Sequence, residues 1–449
     1  ELIQGLLAAG YKGKIYPINP GATEINGLQA YPSVTAIPEP VDYVISVLPI
    51  GGVKELTSQC AAKGVKTIQF YTAGFSESGT TEGKKLEEEI VAIAREVGMR
   101  IIGPNCVGIY CPESGMVFHL GASKKTGTLG FISQSGGNSE DLVWAAPIRG
   151  VHFSKAISFG NAADLNETDF FEYLVNDPAT KMISGYLEGF KNGRGFVEQL
   201  GHVSGKKPVI ILKGGRTEAG TRAVASHTGS LAGTAAVWKA LCHQHGIIQV
   251  YSLDELVDMA VAFQYMKVPK GHRAAIIGSG GGASVQAADD CESYGCPVPR
   301  LPDEARTELR TFTSEVGRFF SNPLDSPTRG WEPEQFQRAI QIVLGCEEMD
   351  FLIVFIGMDI TLFHHEGKKI RDRTTEALIQ ASEKVQKPIV VVLKSGGSRA
   401  GCEAVLEQQE KLVEFGLPVY PSLPRAVSAA SRFIQWYERA AVLRSEAGA

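Results

Sequence analysis

Two stretches of this chain repeat the same punctuation. "KPVIILKGGRTEAG" (207–220) and "KPIVVVLKSGGSRAG" (387–401) each pass from Lys-Pro through aliphatic residues to a lysine and a glycine turn. Upstream of each, "GFISQSGGNSEDLVWAA" and "AAIIGSGGGASVQAADD" pass from an apolar run through glycines into a helical pattern. A short aliphatic run bounded by glycine reads as a strand buried on both faces. Strand, glycine turn and helix, given twice in the same order, restrict the chain to alternating α/β architecture with parallel sheets.

A third block of this kind comes first, with "KIYPINP", "VDYVISVLPI", "KTIQFYTAGF" and "RIIGPNCVG" as β-rich runs and a helical stretch over 82–97. The middle block adds "TLGFISQSGG", "FSKAISFGN" and "MISGYLEGF", and the last adds "MDFLIVFIGMD". Boundaries are expected near 110–123 and 267–273, where Pro, Gly and Lys cluster. At 449 residues the chain exceeds what one core supports. A net charge of −5 without a basic block argues against nucleic-acid or anionic-membrane surfaces. Apolar runs such as "FLIVFIGM" fall far short of a bilayer span. No signal peptide is visible, although the first residue already lies inside a helical pattern. The eight cysteines lack CxxC or His spacing, so reduced thiols, no metal site and a cytoplasmic location are expected.

The two repeats diverge after their second matched strand. The last block continues into "CEAVLEQQEKLVEFG", an amphipathic helix. The middle block instead runs through "GGRTEAGTRAVASHTGSLAG" (214–233), which shows neither a 2.0 nor a 3.6 apolar period and reads as a long loop carrying His227. The plain reading of His227 is a solvated loop histidine, and that of the glycine turns is steric need. The functional reading joins them. Glycine turns into helices expose N–H groups at the positive end of the helix dipole, which suits an anion. Ser133, Ser135, Gly136 and Gly137 form one such turn, and Gly280, Gly281 and Gly282 the other. Neither is a P-loop or a complete dinucleotide fingerprint. A histidine between two such turns could carry a phosphoryl group.

Together with "YLEG" and "NPLD", these motifs resemble the NDP-forming (ADP-forming) acyl-CoA synthetases of the succinyl-CoA synthetase superfamily, over essentially the whole chain. The resemblance implies three domains. Residues 1–115 would be a Rossmann-like CoA-binding domain lacking its first strand. Residues 116–267 would be a ligase domain with a phosphohistidine loop at 214–233, and 268–449 a second, flavodoxin-like ligase domain. It implies an acid–CoA ligase that makes an acyl-CoA from a carboxylic acid, CoA and ATP, releasing ADP and phosphate through an acyl phosphate. His227 matches the histidine that carries the phosphoryl group on a swinging loop, and Glu188 the glutamate that orients it. CoA candidates are Asn19, Pro20, Pro49, Thr72, Ala73, Gly74, Asn105 and Cys106. ATP/ADP and Mg²⁺ would be held by an ATP-grasp domain on another subunit or a further segment, and an oligomer is expected.

The acid would sit near Ser135, Gly136, His227 and the loop after Asn322, with Trp331 and Phe363 as candidate lining. Three other functions fit parts of the pattern. One is a relative coupling CoA ligation to cleavage of dimethylsulfoniopropionate, and the second a CoA-binding regulatory module without catalysis. Retention of His227, Glu188 and both glycine turns argues against the second. The third, a Rossmann oxidoreductase, needs a nicotinamide fingerprint that the first block does not show.

Overall fold

Parallel strands buried on both faces frame the computed structural model, which describes residues 1–228, 234–278, 281–312, 321–325, 332–359, 362 and 366–447. The chain divides into two compact units. One comprises Glu1–Pro147, Val151–Leu256 and Leu443–Ala449, the other Ile148–Gly150 and Val257–Val442.

The first unit opens with α1 (Leu2–Ala9) and a ribbon of β1 (Glu24–Ile25) and β2 (Leu28–Gln29). Then β3 (Tyr43–Ser46), α2 (Val53–Lys63), β4 (Thr67–Phe70), α3 (Thr81–Glu96) and β5 (Arg100–Ile102) build a three-stranded parallel sheet ordered β3-β4-β5. Local chemistry sets the helix ends. Gly64, at φ 78°, takes the left-handed turn that closes α2, and Thr80 Oγ1 accepts from the Gly83 N–H at 3.1 Å to cap α3. Val44, Ile68, Phe70, Ile90 and Ile101 fill the core. The expected strand in "KIYPINP" is replaced by one bridge, Ile18 to Tyr31. Pro17 and Pro20 lack the N–H groups that a ladder needs.

After β5 the chain enters a second sheet. There β6 (Gly108–Tyr110) pairs antiparallel with β8 (Phe153–Ser158), beside β7 (Leu129–Ser133), β9 (Met182–Leu187), β10 (Val209–Lys213) and β11 (Ile248–Val250). The order is β11-β10-β9-β7-β8-β6. The connecting helices are α4 (Gly136–Ile148), α5 (Glu167–Asn176), α6 (Gly193–Val203), α7 (Glu218–Thr228), α8 (Ala235–His245) and α9 (Leu253–Tyr265).

The second unit holds β12 (Ala274–Gly278), β13 (Leu324–Asp325), β14 (Phe351–Gly357), β15 (Ile389–Lys394) and β16 (Val419–Tyr420), ordered β13-β12-β14-β15-β16. Its helices are α10 (Gly281–Ser293), α11 (Asp303–Arg310), α12 (Pro333–Gly345), α13 (Gly367–Lys384), α14 (Arg399–Glu414) and α15 (Leu423–Ala447). Counted along the chain, the parallel strands of both larger sheets follow the flavodoxin order 2-1-3-4-5. The matched segments occupy matched places. Both glycine turns follow the first strand, and both Lys-Pro runs form the fourth, β10 and β15.

The stretch 214–233 departs from its expected form. Residues 218–228 are helical, so the segment is not a structureless loop. Its composition explains why periodicity missed it. Ala219, Ala223 and Ala225 favour the helix without drawing an apolar stripe, and Thr217 Oγ1 caps its start by accepting from the Gly220 N–H at 3.1 Å.

Candidate active site

The carboxyl ends of β7, β9 and β10 lie side by side, and three of their residues converge on Glu188. Glu188 is 5% exposed. Tyr186 Oη donates to Glu188 Oε1 at 3.1 Å. Gln134, in the middle of the glycine turn, accepts through Oε1 from the N–H groups of Glu188 and, at 3.1 Å, Gly189. From the other side Lys213 Nζ donates to the carbonyls of Glu188 and Gly214, both at 2.6 Å. Gly214 leaves little room: a Cβ there would stand 3.1 Å from Tyr186 Oη and 3.2 Å from Glu188 Cγ. Burial holds the Tyr186 phenol well above its usual range, reinforced by the Glu188 carboxylate. Burial pulls Lys213 down to about 8, against the attraction of Glu188.

The second unit offers an internal comparison. In register, Lys213 faces Leu187 on β9 as Lys394 faces Gly357 on β14. Lys394 is exposed, whereas Lys213 is buried. The same residue at the same strand end is drawn inward in the copy that carries Glu188.

The glycine turn itself is well formed. Ser133 Oγ accepts from the Ser135 N–H at 3.1 Å, and Ser135 Oγ accepts from the Asn138 N–H at 3.2 Å, capping α4. A Cβ on Gly136 would meet Val107 at 3.3 Å, while one on Gly137 would meet nothing within 4 Å. Beside Gly137 there is space at a helix N-terminus, the surroundings an anion needs. His227 belongs to the last turn of α7; the placement of its imidazole lies outside the described residues. Helix α7 runs alongside the turn Ser76–Ser78 of the first sheet.

Six of the eight CoA candidates follow the carboxyl ends of β3, β4 and β5. Pro49 is exposed, and its carbonyl accepts from the Gly52 N–H at 3.0 Å. Thr72 Oγ1 donates to the Leu48 carbonyl at 2.5 Å, tying two of these loops together. Ala73 is exposed, and Gly74, at φ 105°, adopts a conformation that favours glycine. Val47 and Leu48 are 69% and 43% exposed, an apolar rim on the same edge. Asn105, at φ 57°, hands its N–H to the Thr72 carbonyl at 3.0 Å. Asn19 and Pro20 are exposed beyond the Ile18 bridge. Cys106 points the other way. It is 3% exposed, with Sγ directed to the Phe70 and Ile102 carbonyls, and burial raises its thiol to about 12.

In the second unit, Gly281 and Gly282 start α10, and a Cβ on Gly282 would meet nothing within 4 Å. Gly280, Trp331 and Phe363 lie outside the described residues. Asn322, expected at the acid pocket, is bound to main chain. Its Nδ2 donates to the Ala274 and Pro299 carbonyls at 2.7 and 2.9 Å, and its Oδ1 accepts from the Ile276 N–H at 2.9 Å. With both Nδ2 hydrogens on main-chain carbonyls and Oδ1 on a main-chain N–H, Asn322 splints β12 and keeps only one acceptor lone pair of Oδ1 for a ligand. Asp325, buried at the end of β13 beside Gly278, is the acidic group of "NPLD" that reaches the carboxyl edge. Sequence reasoning passed over Gln134, Tyr186 and Lys213. Two of them sit inside motifs quoted for other residues, and the third is signalled by the lysine that ends both matched strands.

Residues 2–112 match the family model of a CoA binding domain, and residues 126–263 that of a succinyl-CoA ligase like flavodoxin domain. The chain is 38% identical to the alpha subunit of acetate–CoA ligase (ADP-forming) II from Pyrococcus furiosus, over 94% of this chain and 90% of that one. The chain belongs to the ADP-forming acyl-CoA ligases. The ligase also resembles acetyl-coenzyme A synthetase 1 of Ca. Korarchaeum cryptofilum, solved with phosphate and ADP. The TM-score is 0.82 and the identity 32%, over 100% of this chain and 94% of that one. It is 29% identical to the 4-hydroxybutyrate–CoA ligase (ADP-forming) of Nitrosopumilus maritimus over 95% of its own length, and spans 60% of that relative. As an ADP-forming CoA ligase it uses CoA and the ATP/ADP pair, and its alpha-subunit relatives imply a partner subunit or domain. Among the ligase's described residues no helix is long and apolar enough to cross a membrane, and no cluster of three or more His, Cys, Asp or Glu could hold a metal.

Proposed function

We propose that the ligase joins a carboxylic acid to CoA through an acyl phosphate, with His227 carrying the phosphoryl group and Glu188 orienting its imidazole. In this reading 1–115 binds CoA, 116–267 supplies Glu188 and His227, and 268–449 is a second ligase domain. ATP phosphorylates a ring nitrogen of His227 and leaves as ADP. The carboxylate oxygen of the acid attacks that phosphorus and the N–P bond breaks. The CoA thiol then attacks the acyl carbon, its proton leaving with the released phosphate as the C–O bond breaks. ATP and Mg²⁺ are held by an ATP-grasp domain on the partner. His227 reaches it by release of α7, whose 11 residues include Gly220 and are too few for a stable isolated helix.

The observation that carries this reading is the buried Glu188 clamped beside the glycine turn and the start of the histidine segment. Acetate, the acid named for several relatives, heads the panel to be assayed for CoA- and ATP-dependent thioester formation. With labelled ATP, Mg²⁺ and the partner, the chain should gain an acid-labile, base-stable phosphate that His227→Ala abolishes. Glu188→Gln should keep the fold and slow loading by about 10²–10⁴-fold. Stable phosphoserine in place of phosphohistidine would overturn the assignment; unchanged loading in Glu188→Gln would move the orienting role, with Glu218 the next carboxylate to test.

A further inference from the structure

The loop after β4 is held by two carboxylates. Glu77 Oε1 accepts from the N–H groups of Gly74 and Phe75 at 2.5 and 3.2 Å. Glu87 Oε2 accepts from the N–H and the hydroxyl of Ser76 at 3.3 and 2.7 Å. Both glutamates then meet one amide from the neighbouring sheet. Asn161, in the loop after β8, donates from Nδ2 to Glu77 Oε2 and, at 3.0 Å, to Glu87 Oε2. Two carboxylates this close repel each other, and the amide hydrogens between them offset the repulsion.

Asn161 is itself rigidly placed. It is 4% exposed and its N–H donates to the Pro104 carbonyl at 3.0 Å. Its Oδ1 accepts from Asn105 Nδ2 at 3.5 Å. Next to it, Gly160 (φ 52°) lies so near the loop after β5 that a Cβ would fall 2.2 Å from the Asn105 carbonyl oxygen. The loop after β8 is therefore pressed against both Asn105 and the carboxylate pair, and no methyl group fits between.

We propose that Asn161 is a positioning residue for CoA. Through Glu77 and Glu87, the ligase sheet sets the conformation in which the loop Thr72–Ser76 receives the cofactor. Helix α7 touches the same Ser76–Ser78 turn, but Asn161 grips Glu77 and Glu87 from the ligase sheet, so this hold on the loop stays in place when α7 leaves. CoA affinity is then maintained while the histidine helix travels. The inference rests on the reading of this loop as the CoA site.

Steady-state kinetics with CoA and acetate, alongside phosphate loading from ATP with the partner present, test it. Asn161→Ala removes both charge-assisted contacts to the carboxylate pair and, acting on CoA only through the loop, should raise KM for CoA about tenfold and leave loading within about twofold. N161D should be worse, about 100-fold, because a third carboxylate joins the pair. Adding E77Q to N161D supplies an amide donor on the opposite side and should recover about tenfold. A merely structural role would depress CoA use and loading together, with no recovery in the double variant. An unchanged KM in both single variants, or equal loss in both half-reactions, overturns the inference. If Asn161→Ala does not fold, the comparison of N161D with N161D/E77Q decides alone. Ala73→Trp, a block at an exposed position, checks the underlying site. CoA binding that ignores Ala73→Trp sinks the placement of CoA itself, whereas binding that responds to it but not to the Asn161 variants sinks only the inference.

Discussion

Lys213 Nζ stands 2.6 Å from the main-chain carbonyl of Glu188, and the same ammonium reaches Gly214 at 2.6 Å. One side chain thus ties the turn bearing the Glu188 carboxylate to the start of the histidine segment. A neutral amine keeps two N–H groups, enough for both carbonyls, so the tie persists when the proton is lost.

That proton makes a thermodynamic prediction. The folded value of about 8 lies below the ordinary 10.5 because burial disfavours the charge. Between these values the unfolded chain binds more protons, so stability rises with pH across that window. In urea unfolding at pH 8 and pH 10, the wild type should gain about 2 kcal/mol relative to Lys213→Met. Equal gains in the two proteins would exclude Lys213 as the titrating group.

Tyr186→Phe removes the hydroxyl that donates to Glu188 Oε1 at 3.1 Å while keeping the ring. A hydrogen bond to a charged group contributes roughly 1.5–3 kcal/mol, so phosphate loading should slow about tenfold or more. The rate of acid-labile phosphate formation measures it; wild-type loading would leave Gln134 and Lys213 to hold Glu188 without help from the phenol.

The two glycines flanking the site should respond in opposite ways. Gly137→Ala places a methyl in open space on α4 and should raise stability by a few tenths to about 1 kcal/mol. The same methyl intrudes where a phosphoryl group would approach, so activity should fall. Gly214→Ala instead presses on Tyr186 and Glu188 and should lower both activity and Tm. A fully active, stabilised Gly137→Ala would show that phosphate binds elsewhere.

Asn322→Ala should act on stability alone. It strands two carbonyls and one N–H of β12 and its neighbour, a loss of about 2–3 kcal/mol in denaturant unfolding. The protein that remains folded should show an unchanged KM for the acid; a large KM effect would place Asn322 at the substrate pocket.

What could be read from the sequence follows a physical divide. Strands such as β10 and β14 announce themselves because both faces are buried, which demands an unbroken aliphatic run. Strands of two or three residues, β11, β13 and β16, carry too little pattern to register. Helix α7 was hidden because its alanines give propensity without an apolar face. Glu188 was legible through "YLEG". Gln134 and Lys213 were not, because they act on main-chain N–H and C=O groups, which every sequence possesses and no side-chain pattern reveals. The structural part played by Asn322 was hidden for the related reason that an amide in a short motif does not announce its main-chain partners. Residues 280, 331 and 363 lie outside the described residues, so their expected roles stand as proposals.

The short strand β6 has a practical consequence. Tyr110 is fully buried, its ring 5.8 Å from that of Phe153, and β6 closes the edge of β8 along Ala156–Ser158. A gene fragment opening at codon 116 would lose this strand and leave those main-chain groups open to another chain, a recipe for aggregation. Any recombination event or expression vector that separates the two sheets must therefore cut between Ile102 and Gly108. Cutting there breaks the loop of Asn105, so neither sheet can be cloned alone without losing a part that the other supplies.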